Sequence, residues 1–126
     1  MIPDYSKYKS KKVEIDGIIF ASKKEAKYYK IFKAKKMADE IKDFFMQVPF
    51  VLVPVQKEQV TVFKNGKPVT KEKVVEHAVT YVADFVIVNH DESREVYDVK
   101  GFPDQKYPIK RKLMRHVHGI VLQELK

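Results

Sequence analysis

The chain has 126 residues, and 25 Lys and Arg against 17 Asp and Glu give it a formal net charge of +8. Domains of about 100–150 residues are the most common, so we expect a single domain over residues 1–126. The absence of cysteine excludes disulfide frameworks, cysteine-zinc sites, iron–sulfur clusters and thiol nucleophiles. No apolar run approaches the roughly 20 residues that span a bilayer, and the first residues form no signal-peptide stretch. We therefore expect a cytoplasmic protein without a membrane partner.

The excess of basic residues predicts a polyanionic partner. Nucleic acid is the leading candidate, because neutralising phosphates releases counterions. The alternative is a lysine-rich surface that serves only solubility. Residues 1–12 form a short basic arm, which either lies along a phosphate backbone or is a frayed terminus. The arm contains Lys7, Lys9, Lys11 and Lys12.

A hairpin and a helix are predicted near the start of the chain. Residues 13–20 surround an Asp-Gly dipeptide, which predicts a hairpin with a two-residue turn. Ser22 followed by Glu25 is a capping box, so a helix begins there and ends near Lys36 or Ile41. Its predicted inner side consists of Ala26, Tyr29, Phe32 and Met37.

Strands dominate the middle of the predicted fold. Residues 44–55 are apolar and β-branched, and Pro49 within them indicates an edge strand or a bulge. A polar hairpin is predicted over residues 56–76 around an Asn-Gly turn. Residues 81–88 predict a buried strand, which a turn connects to a further strand over residues 94–100.

A second helix and a short strand complete the predicted fold. Pro108 suits the first position of a helix, and Gly119 suits its C-terminal cap. Residues 120–125 predict a last strand. The predicted inner side of the helix consists of Ile109, Leu113 and Val117. The order of helix, three or more strands, helix and strand defines an α/β domain with a mixed sheet.

One carboxylate, Asp84, interrupts an apolar strand, and Asp98-Val99-Lys100 follows on the next strand. Because side chains alternate along a strand, Asp98 and Lys100 share a face, and hairpin pairing places Asp84 close to Asp98. Neighbouring carboxylates repel each other, and a divalent cation relieves that repulsion. Oxygen ligands without cysteine favour magnesium, manganese or calcium. Such a metal suits phosphodiester hydrolysis.

The same residues also have a purely structural explanation. Asp98 and Lys100 can form a salt bridge on one face of the strand, and Asp84 can cap a bulge. Both explanations remain open at the level of sequence.

The arrangement of Glu25, Asp84 and Asp98-Val99-Lys100 resembles the PD-(D/E)XK nuclease superfamily. Small phage or archaeal-type Holliday junction resolvases and related phage endonucleases look most similar, over residues 13–26 and 97–101. The resemblance implies a restriction-endonuclease-like core of order α-β-β-β-α-β, with a central mixed sheet flanked by helices and residues 56–76 as an insertion.

The resemblance also implies a role for each residue of the pattern. Asp84, Asp98 and the Val99 carbonyl would bind Mg²⁺, for which Mn²⁺ would substitute. Glu25 would reach the metal directly or through water, and Lys100 would hold the phosphate or the attacking water. The superfamily pattern places a proline immediately before the first aspartate, and this sequence departs from it there.

The function implied is that of a metal-dependent endodeoxyribonuclease in a bacterial or phage-infected cell, acting on branched DNA such as a Holliday junction. Two symmetric cuts in a junction imply a homodimer. Gln47 resembles a glutamine that some of these nucleases place near the metal, and its alternative is a solvent-facing position. Basic rows on the second helix are candidate DNA contacts or a solvated face. They consist of Lys106, Lys110, Arg111 and Arg115.

Two other functions remain as alternatives. The first is a nuclease for flap, damaged or single-stranded DNA that acts as a monomer. The second is a nucleic-acid-binding module that has the fold and lacks catalysis.

Overall fold

A computed structural model describes residues 12–100 and 104–126. The basic-arm residues Lys7, Lys9 and Lys11 lie outside the described residues. In chain order the elements are β1 (Val13–Ile15), β2 (Ile18–Phe20), α1 (Lys23–Met37), β3 (Asp43–Val53), β4 (Gln56–Lys64), β5 (Lys67–Glu76), β6 (Val79–Val88), β7 (Arg94–Val99), α2 (Tyr107–His118) and β8 (Gln123–Leu125). Neither helix is long and apolar enough to cross a membrane.

The main sheet has four strands in the order β3-β6-β7-β8. β6 and β7 are antiparallel, whereas β7 and β8 are parallel, so the sheet is mixed. β3 is an edge strand, as Pro49 predicts. The predicted α/β class with a mixed sheet is therefore confirmed. β1–β2 and β4–β5 form separate two-stranded sheets, which confirms both predicted hairpins.

The described chain forms two compact units, each built from separate stretches of sequence. The first unit comprises residues 12–48, 83–100 and 122–126. The second unit comprises residues 49–82 and 104–121.

The core of the first unit forms around α1. Ser22 caps the helix, because its Oγ accepts a hydrogen bond from the Glu25 backbone N–H at 3.1 Å. The Phe32 ring lies 5.0 Å from the Phe85 ring and 5.6 Å from the Tyr97 ring, which joins the helix to β6 and β7. The helix buries three of the four predicted inner residues, which are Ala26, Tyr29 and Phe32.

The fourth predicted inner residue of α1, Met37, is 79% exposed, so that prediction is wrong. The helix ends at Met37, and Asp39 then adopts a left-handed conformation with φ 60°. The chain therefore changes direction before another helical turn can form. Ile41, beyond this turn, joins the core in its place.

The β1–β2 hairpin is held against α1 by polar contacts at its turn. Asp16 and Gly17 have φ of 54° and 77°, as a two-residue hairpin turn requires. The Asp16 carboxylate accepts hydrogen bonds from the Tyr29 hydroxyl and the Lys33 ammonium. These contacts hold the hairpin turn against the middle turns of the helix.

In the second unit, α2 begins at Tyr107 and ends with Gly119 as its left-handed C-cap, at φ 67°. Gly119 is where the sequence predicts the cap, and Pro108 is the second helical residue rather than the first. The Ile120 N–H donates back to the Met114 carbonyl, so the next strand starts only at Gln123. The predicted strand over residues 120–125 is thus too long.

The predicted inner side of α2 is right only for Leu113, which is half-buried. Ile109 is 62% exposed and Val117 is 47% exposed, whereas Met114 is fully buried. The buried and half-buried positions are Tyr107, Lys110, Leu113 and Met114. The large Tyr107 ring and the adaptable Met114 side chain lie along a different line of the helix from the aliphatic repeat, and they face inward instead.

Candidate functional site

Three elements of the first unit supply the candidate carboxylates. Glu25 lies in the first turn of α1, Asp84 on β6 and Asp98 on β7. β6 and β7 pair with Phe85 opposite Tyr97. Asp84 Oδ2 accepts a hydrogen bond from the Val99 N–H at 2.7 Å. The predicted juxtaposition of Asp84 with the Asp98-Val99-Lys100 segment is therefore confirmed.

Contacts with β7, β8 and α1 hold Lys100 in place. Its Nζ lies 3.0 Å from Asp98 Oδ2, which confirms that the two side chains share a face. Its backbone N–H donates to the Leu125 carbonyl at 2.8 Å, and its carbonyl accepts from Lys24 Nζ at 2.6 Å. The salt bridge anticipated by the structural explanation is thus present. The ammonium group has a fixed position beside the carboxylates.

A fourth carboxylate, Glu124 on β8, was not recognised from the sequence. Its Oε1 lies 3.8 Å from Lys100 Nζ. β8 pairs in parallel with β7, and this register sets Glu124 beside Asp98. Only a prediction of that parallel pairing would have revealed the residue.

Two of the carboxyl groups, those of Asp84 and Glu25, have raised pKa values. Burial, followed by the charge of Asp98, raises the pKa of Asp84, and hydrogen bonds from the Val99 N–H and the Gln47 amide oppose the rise together with Lys100. Burial and the charges of Asp84 and Asp98 raise the pKa of Glu25, against a hydrogen bond with the Ala21 backbone. The carboxylates therefore concentrate negative charge in a partly buried place, and a further cation would relieve their repulsion.

These shifts predict how stability depends on pH. A carboxyl group whose pKa is raised by folding binds its proton more tightly in the folded than in the unfolded protein. The ordinary pKa of an aspartate is 3.8. The contribution of Asp84 to the free energy of unfolding therefore falls as the pH rises above that value and through the raised pKa of the folded protein. Asp84→Asn should make this fall shallower. Urea unfolding across a pH series, in EDTA, measures it, and identical pH slopes for variant and parent would contradict the shift.

A cleft of about 240 Å³ adjoins two of the carboxylates. Its polar lining comes from Glu25, Gln47 and Asp84. The apolar lining consists of Ile18, Ile19, Phe20, Ala21, Met46 and Phe85. Small-molecule pockets usually measure about 300–1,000 Å³, so this space suits a group the size of a phosphate with its water rather than a large ligand.

Gln47 contacts the same carboxylate from β3. Its Nε2 lies 3.4 Å from Asp84 Oδ1, and the residue is also exposed, so it both faces solvent and contacts the carboxylate. A role beside a metal stays a prediction. Gln47 has φ of 52°, a left-handed conformation that costs an L-residue roughly 1–2 kcal/mol. Such local departures in a strand redirect a side chain. Here the redirected amide meets Asp84.

The candidate DNA contacts differ in accessibility. Lys12, Lys106, Arg111 and Arg115 are exposed, whereas Lys110 is half-buried. Lys110 lies on the inner side of α2, so it does not continue an exposed row from Lys106 as predicted. Contact of the other side chains with DNA stays a prediction.

Within the described ranges, no group of three or more His, Asp or Glu side chains is arranged to hold a metal ion. The predicted metal ligands Asp84, Asp98, Val99 and Glu25 therefore stay a prediction.

A family model described as protein of unknown function, DUF1064, matches residues 5–124. The chain belongs to this family. No curated protein and no solved structure matches the chain.

Proposed function

We propose that the chain is a magnesium-dependent endodeoxyribonuclease of the PD-(D/E)XK kind that hydrolyses phosphodiester bonds in branched DNA, such as a Holliday junction. The observation that carries the proposal is the meeting of Asp84 with the Asp98-Val99-Lys100 segment, with Glu25 electrostatically coupled to both aspartates. Carboxylates and an ammonium group, in a basic chain without cysteine, suit the hydrolysis of a phosphodiester.

The order of the elements supports the proposal. Without the two hairpins, the chain reads α1-β3-β6-β7-α2-β8. This is the α-β-β-β-α-β order that the resemblance implies. The β4–β5 hairpin lies where the resemblance leads us to expect an insertion.

The chemistry of the donor set suits a hard divalent cation. Asp84 and Glu25 are half-buried, and each has a pKa raised by burial and neighbouring carboxylates. In our proposal Asp84, Asp98 and the Val99 carbonyl hold Mg²⁺ or Mn²⁺, and Glu25 completes the set. The cation, when bound, supplies Lewis acidity toward a phosphoryl oxygen and lowers the pKa of a water molecule.

The residues of the chain do the positioning. The Val99 N–H and the Gln47 amide orient the two oxygens of Asp84. Contacts with β8 and α1 fix the backbone of Lys100. From that position its ammonium group would hold the scissile phosphate or orient the attacking water.

The salt bridge between Lys100 and Asp98 favours a second candidate, a nucleic-acid-binding module that lacks catalysis. In that case the ion pair is structural, and the protein binds DNA without turnover. Cleavage separates the two candidates.

A panel of labelled duplex, flap, fork, single-stranded and four-way junction DNAs tests the substrate class. We expect cleavage with magnesium or manganese, none in EDTA, and the highest rate on the four-way junction. Two symmetric cuts and a dimer by light scattering would accompany that substrate. A preference for flap or single-stranded DNA would overturn the junction assignment, and binding without any cleavage would support the binding module.

Variants of Gln47 test whether its amide positions the Asp84 carboxylate. Gln47→Gly removes the amide and relieves the left-handed backbone, whereas Gln47→Ala removes the amide and keeps the strain. We expect both variants to lose about 10–100-fold in metal-dependent cleavage, the usual effect of removing a group that orients a ligand. The glycine variant should unfold at higher urea than the alanine variant. If either variant cleaves as fast as the parent, the amide does not position Asp84.

A further inference from the structure

The β4–β5 hairpin is a long, exposed ribbon whose two faces differ in charge. All ten residues of β5 are exposed, and β4 contributes nine more residues. Asn65 and Gly66 form the turn, with φ of 51° and 76°. A strand of this length extends about 30 Å. Two strands alone are too few to enclose a core, so both faces are available for contact.

The register assigns each side chain of the ribbon to a face, because directly opposed residues share a face and successive residues alternate. Lys64 pairs with Lys67, Val60 with Lys71, and Glu58 with Lys73. These residues share one face, which we name the lysine face. It also carries the Val62–Val69 pair, and Glu76 joins it through its pairing with Gln56 beyond a bulge, so four lysines and two glutamates give a formal charge of +2.

The opposite face is neutral. Lys57 and Glu72 lie on it and form a salt bridge at 3.5 Å. Phe63 also lies there, near the turn, and is 74% exposed. Positive charge and the exposed aromatic ring therefore point in opposite directions.

We propose that the lysine face binds the phosphate backbone of duplex DNA. The proposal rests on the proposed function for the identity of this polyanion, and it deepens that function by assigning a surface to the duplex arms of the substrate. The major groove, about 12 Å wide, admits a two-stranded β-ribbon. Lysines two residues apart on one face, such as Lys71 and Lys73, are separated by about 7 Å, which matches the axial rise of about two nucleotides.

The distribution of charge favours DNA over an anionic membrane. An amphipathic element that lies in a bilayer interface buries an apolar face opposite its basic one. Here the face opposite the lysine face carries Lys57, Gln59 and Glu72 beside Phe63, so it is too polar to enter a bilayer. A regular series of phosphates needs only the charged side.

Fluorescence anisotropy with a labelled duplex in EDTA, over a salt series, tests the proposal without requiring cleavage. The ribbon variant is Lys67→Gln, Lys71→Gln and Lys73→Gln. Its control is Lys27→Gln, Lys30→Gln and Lys35→Gln, which removes the same charge from exposed positions of α1. We expect the slope of log affinity against log salt to fall by about three for the ribbon variant and by less than one for the control.

A further variant with arginine at the three ribbon positions should keep the parental affinity, because it preserves the charge. Equal losses in the glutamine variant and the control, or equal losses in the glutamine and arginine variants, would overturn the proposal. The proposal would also be overturned if the glutamine variant kept its binding to duplex DNA and lost binding to phosphatidylserine vesicles or to polyglutamate. If the parent binds duplex DNA through the ribbon and never cleaves it, only the proposed nuclease function is overturned. If the parent cleaves normally and the glutamine variant binds duplex DNA like the parent, only the proposed role of the ribbon is overturned.

Discussion

Asp84→Asn is expected to reduce metal-dependent DNA cleavage at least about 100-fold while the protein stays folded. Loss of metal-based charge stabilisation costs several kcal/mol, and each 1.4 kcal/mol corresponds to about tenfold in rate. Asparagine keeps an oxygen that can accept from the Val99 N–H. The substitution also removes one of the mutually repelling charges that raise the pKa of Glu25, so the metal-free protein should be at least as stable as the parent at neutral pH.

Asp98→Asn should reduce cleavage to a similar extent, with a different effect on stability. Asp98 forms a salt bridge with Lys100 at 3.0 Å, so its replacement loses an attraction as well as a repulsion. We therefore expect a smaller gain in stability than for Asp84→Asn, or a small loss. Cleavage rates and urea unfolding in EDTA measure both properties. Parental cleavage by both variants, or unfolding of both, would show that the aspartates serve the fold and not a metal.

Glu25→Gln is expected to lower cleavage strongly, or to raise the magnesium concentration required, without unfolding the protein. Glutamine keeps an oxygen that can accept the backbone hydrogen bond near Ala21, and it lacks the negative charge that a cation needs. The free energy of unfolding should therefore change by less than about 1 kcal/mol, the usual scale of a helix cap. Cleavage over a magnesium titration, with thermal melts, gives both results.

Ser22→Ala is the matched control for this residue. It removes the oxygen that accepts from the Glu25 N–H, so it should cost about 1 kcal/mol of stability and leave cleavage close to the parental rate. If Glu25→Gln cleaves like the parent at limiting magnesium, Glu25 acts only in capping the helix. The candidate active site would then consist of Asp84, Asp98 and Lys100.

Local chemistry made several features predictable from the sequence. Asp16-Gly17 specifies its turn because both positions need positive φ, and Ser22 specifies a helix start because its hydroxyl satisfies an unpaired N–H. The approach of Asp84 to Asp98 followed from strand alternation across one hairpin. In each case residues within a few positions, or one tight connection, determine the structure.

Contacts between distant parts of the chain were not predictable in the same way. Glu124 approaches Lys100 only because β8 pairs in parallel with β7. The left-handed conformation of Gln47 has no local signal, because glutamine shows no preference for that region. The inward side of α2 includes Met114 and only Leu113 of the predicted aliphatic repeat, since neighbouring elements decide which side of a helix is covered.

Single-turnover cleavage of a labelled four-way junction by the parent and by Asp84→Asn, each with magnesium and with EDTA, tests the central claim most directly. The proposed active site predicts product only for the parent with magnesium, and junction binding by both proteins under all conditions. Product of equal amount from both proteins, or from the parent in EDTA, would contradict a metal-dependent nuclease centred on Asp84.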